Sequence, residues 1–233
     1  MSLIFNSVYD AFTGAFIRIK HIQPVETGRL SENIFAVKTG SVNFYIYKNG
    51  MDCIAVDSGF GKSIVKRELT VLGIDPNDVS CLFLTHSDLD HAGGLSIFPN
   101  ATIWLSRDEE QMITRKTARK YGFYYNSKIN RAYSLLKDND EIAVGSIRIR
   151  AIETPGHTPG SISYLIDDTV LFVGDTFKLI EGKAYPQGRF FCMDKRIQGE
   201  SIRKLARLSH IRFALTAHRG YTEDFNNAME FWR

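Results

Sequence analysis

Cysteine is scarce in this sequence, and what there is lies scattered. Cys53, Cys81 and Cys192 are odd in number and contain no C-x-x-C spacing. That excludes a disulfide framework and points to buried thiols in a reducing, cytoplasmic setting. Long apolar runs are missing too: no stretch approaches the roughly 18 residues of a membrane span, so no membrane partner is expected. The apolar opening, residues 3–22, is interrupted by Asp10, Arg18 and Lys20. It lacks the basic start, clean apolar centre and small-residue cleavage site of a signal peptide. A dominant charge sign is also absent, and a net charge of +3 is too small to argue for a nucleic-acid partner. Repeats, low-complexity tracts and linkers do not occur. What remains is a 233-residue chain, 44% hydrophobic and 24% charged. It reads as one domain over residues 1–233, long enough to bury a substantial core.

Against these absences stands a dense run of chemistry, Thr85-His86-Ser87-Asp88-Leu89-Asp90-His91-Ala92-Gly93-Gly94. His86, Asp88, Asp90 and His91 are all metal-capable, and they directly follow the apolar run Cys81–Leu84. That run reads as a buried strand, which places the cluster on the loop leaving its end. On an extended segment His86, Asp88 and Asp90 share one side. Imidazole and carboxylate together suit zinc, iron or manganese. Alone, the run would also fit a polar turn with an N-cap aspartate.

Further metal-capable residues occur downstream in three separate places. His157 lies in Thr154–Ser161, Asp175 in Val173–Thr176, and His218 closes Leu215–His218. Each follows a strand-like stretch, near 147–152, 170–173 and 213–216, and α/β folds gather their chemistry just past strand ends. The other two of the six histidines, His21 and His210, have the setting of surface residues.

Taken in order, these motifs resemble the metallo-β-lactamase superfamily, with its H-x-H-x-D-H signature followed by separated His, Asp and His ligands. The resemblance begins near Gly40–Tyr45, continues through Ile54–Gly59 and reaches Ala217–Gly220. It implies an α/β fold, the four-layer αββα sandwich, with two divalent metal ions at one edge, zinc first among them. By the resemblance His86 and His157 hold the first metal, Asp90, His91 and His218 the second, and Asp175 bridges both. The implied activity is a dinuclear metal-dependent hydrolase, in which a metal-bound hydroxide attacks an ester, thioester or lactone carbonyl and Asp90 carries the proton to the leaving atom. The chain resembles the small single-domain glyoxalase II and acyl-homoserine lactonase branches. Only fifteen residues follow His218, so no room is expected for the C-terminal helical domain of glyoxalase II.

One position departs from the signature: Asp88 stands where the second histidine belongs. Three carboxylates against two divalent ions and one hydroxide sum to zero, whereas the usual histidine leaves one positive charge. A less positive centre is a weaker Lewis acid. A carboxylate there also favours iron or manganese, as in the flavodiiron relatives, which carry a glutamate. Asp88 is therefore either a direct ligand or an outer hydrogen-bonding group. An iron-dependent oxidoreductase on the same fold and a non-catalytic binding module are the alternatives to a hydrolase.

Strands are expected at 33–38, 42–47, 53–57, 81–84, 102–105, 147–152, 161–166, 169–173 and 211–216, with helices at 62–73, 107–113, 198–208 and 222–232. Asp57, closing a strand, fits either an orienting group behind the metal loop or an Asx-type turn before Gly59. Residues 111–137 hold Arg115, Lys116, Arg119, Lys120, Lys128, Arg131 and Lys137 among Tyr121, Phe123, Tyr124, Tyr125 and Tyr133, with no acid. This mixture is expected to be a substrate-facing insertion for an anionic or acyl-bearing small molecule, separate from the catalytic machinery. A solvated helix face and a nucleic-acid patch are its other readings. Lys183, Tyr185 and Arg189, after Asp175, are candidate substrate-binding residues.

Overall fold

The computed structural model describes residues 23–233, so the opening stretch and His21 lie outside the described residues. Alternation along the strands explains the architecture. In β3 (Val42–Asn49), Tyr45 and Tyr47 face one way and Phe44 and Ile46 the other, and all four are buried. A strand with two apolar faces needs cover on both sides. Here one face meets a second sheet and the other meets helices.

The first sheet runs in chain order: β1 (Gly28–Arg29), β2 (Ile34–Thr39), β3, β4 (Asp52–Val56), β5 (Cys81–Phe83), β6 (Thr102–Ser106) and β7 (Tyr133–Leu136). Pairing is antiparallel from β1 to β4 and parallel from β4 to β7. The second sheet comprises β8 (Glu141–Val144), β9 (Ile147–Glu153), β10 (Ile162–Ile166), β11 (Val170–Gly174), β14 (Phe213–Thr216) and β15 (Tyr221–Thr222), in the order β15-β14-β11-β10-β9-β8. Strands β12 (Lys178–Ile180) and β13 (Lys183–Tyr185) form a separate hairpin.

Three apolar layers hold the stack together. Ile34, Tyr45, Ile54 and Phe83 meet Ile149, Tyr164, Phe172 and Leu215 between the sheets. Phe44, Ile46, Ala55 and Leu82 pack under Val65 and Leu69 of the helix Lys62–Val71. Leu165, Leu171 and Ala214 pack under Ile202 and Leu205 of the helix Lys195–Ala206. This is the αββα sandwich. Among the described residues, no helix is long and apolar enough to cross a membrane. Cys53 and Cys192 are buried, Cys81 is half-buried, and none of the three is in a disulfide among the described residues.

Several boundaries differ from expectation for identifiable reasons. The helix expected at 198–208 begins at Lys195 because the Asp194 side chain caps it, accepting from the Ile197 amide. Residues 107–113 divide into a 3₁₀ turn and a short helix, Glu110–Ile113. The stretch 222–232 holds the end of β15, the short helix Phe225–Ala228 and a terminal 3₁₀ turn. Residues 133–136, expected within the insertion, are strand β7, whose Leu136 is buried in the inter-sheet core.

Candidate metal centre

Strands β5, β9, β11 and β14 deliver the chemistry to one edge. The loop after β5 carries His86 and Asp88 and enters the short helix Leu89–Ala92 with Asp90 and His91. β9 leads to His157, β11 to Asp175 and β14 to His218. Bonds between the sheets bring these loops together. Ile162 N donates to Thr85 O (2.9 Å), Tyr164 Oη to Leu84 O (2.7 Å), and Tyr45 Oη to Thr216 O (2.7 Å).

All seven side chains converge. His157 Nε2 lies 3.3 Å from Asp88 Oδ2 and 3.4 Å from Asp175 Oδ2, and His86 Nε2 lies 3.5 Å from Asp88 Oδ2. On the other side His218 Nε2 is 3.4 Å from both Asp90 Oδ2 and Asp175 Oδ2. His91 Nε2 is 3.8 Å from Asp90 Oδ2 and 3.9 Å from Asp175 Oδ2. Ligand atoms bound at 2.0–2.2 Å around a tetrahedral ion sit about 3.4 Å apart, so the spacing suits one. Three groups have ligand atoms that all lie within 4.8 Å of one another: His86, Asp88 and His157; Asp90, His91 and His218; and His86, His91 and Asp175. Burial adds a second test of fit. His86 Nε2, His91 Nε2 and Asp175 Oδ1 are buried without a hydrogen-bond partner among the described residues. Such atoms are costly, at roughly 1–3 kcal/mol each, unless something satisfies them. The donor set and its geometry fit metal ions.

The outer partners fix which ring nitrogen faces inward. Asp57 Oδ2 accepts from His91 Nδ1 (2.8 Å) and from Thr85 Oγ1 (2.8 Å), while Oδ1 accepts from Thr85 N (2.7 Å). Asp57 is thus an orienting group and not the cap of an Asx turn. His218 Nδ1 donates to Ser41 O (2.7 Å), and His86 Nδ1 lies 3.1 Å from Thr85 Oγ1. In each ring Nε2 is left for the centre, the arrangement in which outer bonds set a ligand's tautomer.

Three residues of the site carried no individual signal in the sequence. Glu109, fully buried, accepts from Ser87 N (2.8 Å) and Ser87 Oγ (2.6 Å) through Oε1, and from Thr158 Oγ1 (2.7 Å) through Oε2. It ties the His86 loop to the His157 loop, and burial raises its pKa. Arg119 and Asn126 come from the segment 111–137. Asn126 Nδ2 donates to Asp88 Oδ1 (3.1 Å) and Arg119 Nη2 stands 3.2 Å from Asp88 Oδ2. The main chain pairs there as well: Leu89 N donates to Tyr125 O and Ser127 N to Ser87 O. A lid separate from the machinery is therefore not what this segment is, because its middle is bonded into the metal loop. Arg131 is equally structural, donating to the carbonyls of Phe98, Pro99 and Ala101. Arg115, Lys116 and Lys128 remain exposed.

Lys183 Nζ is held by Asn227 Oδ1 and Glu230 Oε2 of the C-terminal segment. Tyr185 and Arg189 are exposed, as is His210.

Charges in the cluster push its pKa values apart. Burial alone would lower His91, but Asp57 and Asp90 lift it to about 10. Burial is likewise outweighed at His218, which Asp175 and Asp90 raise to about 9. Burial dominates at His157 and pushes it down to about 4. Asp88 and Asp175 lie well below the usual carboxylate range: burial opposes this, but histidine bonds and charges outweigh it. A histidine raised in the fold stabilises it below the unfolded value of 6.5 and loses that contribution as pH climbs through the folded value. Chelator-treated protein should therefore lose thermal stability from pH 7 toward pH 9–10. His157, lowered instead, acts below that window. A melting temperature that is flat or rising from pH 7 to 10 would contradict the charge assignment.

The sequence profile of the metallo-beta-lactamase superfamily matches residues 37–218, well over half of the chain. The chain belongs to this superfamily. A probable metallo-hydrolase of Methanocaldococcus jannaschii is 30% identical over 68% of the chain and 66% of its own length. A hydroxyacylglutathione hydrolase of Psychromonas ingrahamii is 28% identical over 62% of the chain and 51% of its own length. The match thus spans about half to two thirds of these curated relatives. Among solved structures, a metallo-beta-lactamase family protein of Thermus thermophilus superposes with a TM-score of 0.68 at 20% identity, covering 87% of this chain and 79% of that one. At that identity it supports the superfamily fold alone.

Proposed function

We propose that the chain is one metal-dependent hydrolase domain holding two divalent ions, zinc first, and acting on an ester, thioester or lactone carbonyl. The observation that carries this reading is the convergence of seven metal-capable side chains, six buried and His218 half-buried, with Nε2 of four histidines against the carboxylates. His86, Asp88 and His157 would hold one ion, Asp90, His91 and His218 the other, and Asp175 would serve both. Ions in these places would supply Lewis acidity toward a carbonyl oxygen and would lower the pKa of water near neutral pH.

The remaining work falls to the chain's own residues. Asp57, Thr85 and the Ser41 carbonyl hold the imidazoles in register, so no rotation is needed when substrate arrives. Asp90 is buried beside His218 and moves a proton from water to the leaving atom. Beside the centre, the rings of Tyr121 and Phe190 lie 5.8 Å apart and those of Phe190 and Phe191 5.3 Å apart. Their exposed faces suit the apolar part of an acyl substrate.

Elemental analysis of protein purified without added metal, combined with an ester, thioester and lactone panel, tests this proposal. About two zinc ions per chain with turnover are expected, in line with a two-metal hydrolase. Iron-loaded protein inert on the panel would favour an oxidoreductase, and protein that binds no metal would make the chain a binding module.

A further inference from the structure

Asp88 sets the cluster apart from the H-x-H-x-D-H signature by one negative charge, and the structure places one guanidinium against it. Arg119 Nη2 lies 3.2 Å from Asp88 Oδ2 and 3.4 Å from His157 Nε2, and the side chain is only 10% exposed. Two carbonyls fix it there: Nη1 donates to His157 O (2.7 Å) and Nη2 to Phe191 O (2.7 Å). The second oxygen of Asp88 is held by Asn126. Arginine stays protonated even in such surroundings.

We infer that the Asp88–Arg119 pair is the electrostatic equivalent of a neutral histidine ligand, and that Arg119 is a positioning residue which sets the charge, and so the metal affinity, of the centre. Asp88 supplies the ligand atom and a negative charge, and Arg119, beside the same Oδ2 that faces His86 and His157, cancels that charge. The charge lost by replacing histidine with aspartate is thereby restored. The inference rests on the metal centre proposed above.

Charge and support make opposite predictions. If Arg119 acts by charge, its removal leaves the centre more negative, and divalent ions bind more tightly. If it only props Asp88, any loss loosens the ligand and weakens binding. Replacing Asp88 by histidine while Arg119 stays adds a positive charge and should repel the ions. Making both changes should restore the original balance.

Zinc stoichiometry and affinity, measured on the full chain by competition with a chromophoric chelator, separate these cases. The variants are Arg119→Gln, Arg119→Lys, Asp88→His and the double Asp88→His/Arg119→Gln, each checked for folding by circular dichroism. Arg119→Gln should bind zinc tighter by roughly tenfold or more, and Asp88→His should bind it weaker by a similar factor. Arg119→Lys, which keeps the charge, should stay near wild type. The double variant should return to within about threefold of wild type, a non-additivity expected of a coupled pair. Weaker binding by Arg119→Gln, or a double variant no better than Asp88→His, overturns the inference. If Arg119→Gln does not fold, the comparison of the double variant with Asp88→His decides alone. Wild-type protein that takes up no zinc overturns the metal centre and this inference with it. Wild-type protein with two zinc ions and the wrong order of variants overturns the inference alone.

Discussion

Asp57→Ala should weaken binding of divalent metal by roughly 10- to 100-fold although no ligand is touched, the usual cost of losing an outer partner. The carboxylate accepts three bonds, from Thr85 N, Thr85 Oγ1 and His91 Nδ1. It does so from a left-handed backbone position, φ 63°, immediately after β4. With alanine there, His91 loses the acceptor that fixes its tautomer, and the Thr85 hydroxyl that faces His86 Nδ1 loses its own. Asp57→Asn is the sharper control. It keeps the shape but sets an amide where His91 needs an acceptor, so most of the loss should remain. Chelator competition on both variants checks this, and affinity equal to wild type in either would remove Asp57 from the site.

Glu109→Leu should cost about 3 kcal/mol or more of folding stability, because three buried donors lose their acceptor at roughly 1–3 kcal/mol each. Ser87 N, Ser87 Oγ and Thr158 Oγ1 are all inside the protein, and water cannot readily replace the carboxylate. Gly160 shows how tightly the region is packed. A Cβ there would lie 2.0 Å from Glu109 N, so the loop after His157 closes directly on this residue. Glu109→Gln retains an acceptor oxygen and the volume, and should lose much less. Denaturant unfolding gives both numbers. Equal midpoints for wild type and the leucine variant would show that the loops are held elsewhere.

The contrast between Asp57 and Glu109 shows what a single sequence conveys. Asp57 ends an apolar strand-like run and precedes Gly59, so its place beside the metal loop was legible, though its bonds were not. The seven convergent residues were legible for the same reason: each sits just past a run apolar enough to be a strand. Glu109 lies in a polar stretch, Arg107–Glu110, where nothing distinguishes it from its exposed neighbours. Only the approach of Ser87 and Thr158, distant in the chain, gives it a role. Arg119 was one of seven basic residues in an acid-free segment, and composition could not choose among them. Its neighbours Arg115 and Lys116 face solvent, while Arg119 turns inward because the carbonyls of His157 and Phe191 are there to receive it. The short strands β7 and β8 escaped notice because four residues carry too little periodicity.

The ligand loops come from opposite halves of the sandwich. His86, Asp88, Asp90 and His91 follow β5 in the first sheet, while His157, Asp175 and His218 follow strands of the second. Each candidate metal position draws on both. A bound ion would therefore be a fastener through the two sheets, and its binding energy would add directly to resistance against their separation. Metal starvation would then be felt first as a shortened lifetime of the folded chain under proteolysis, before any change of shape, so supply of the ion would govern how much of the protein persists.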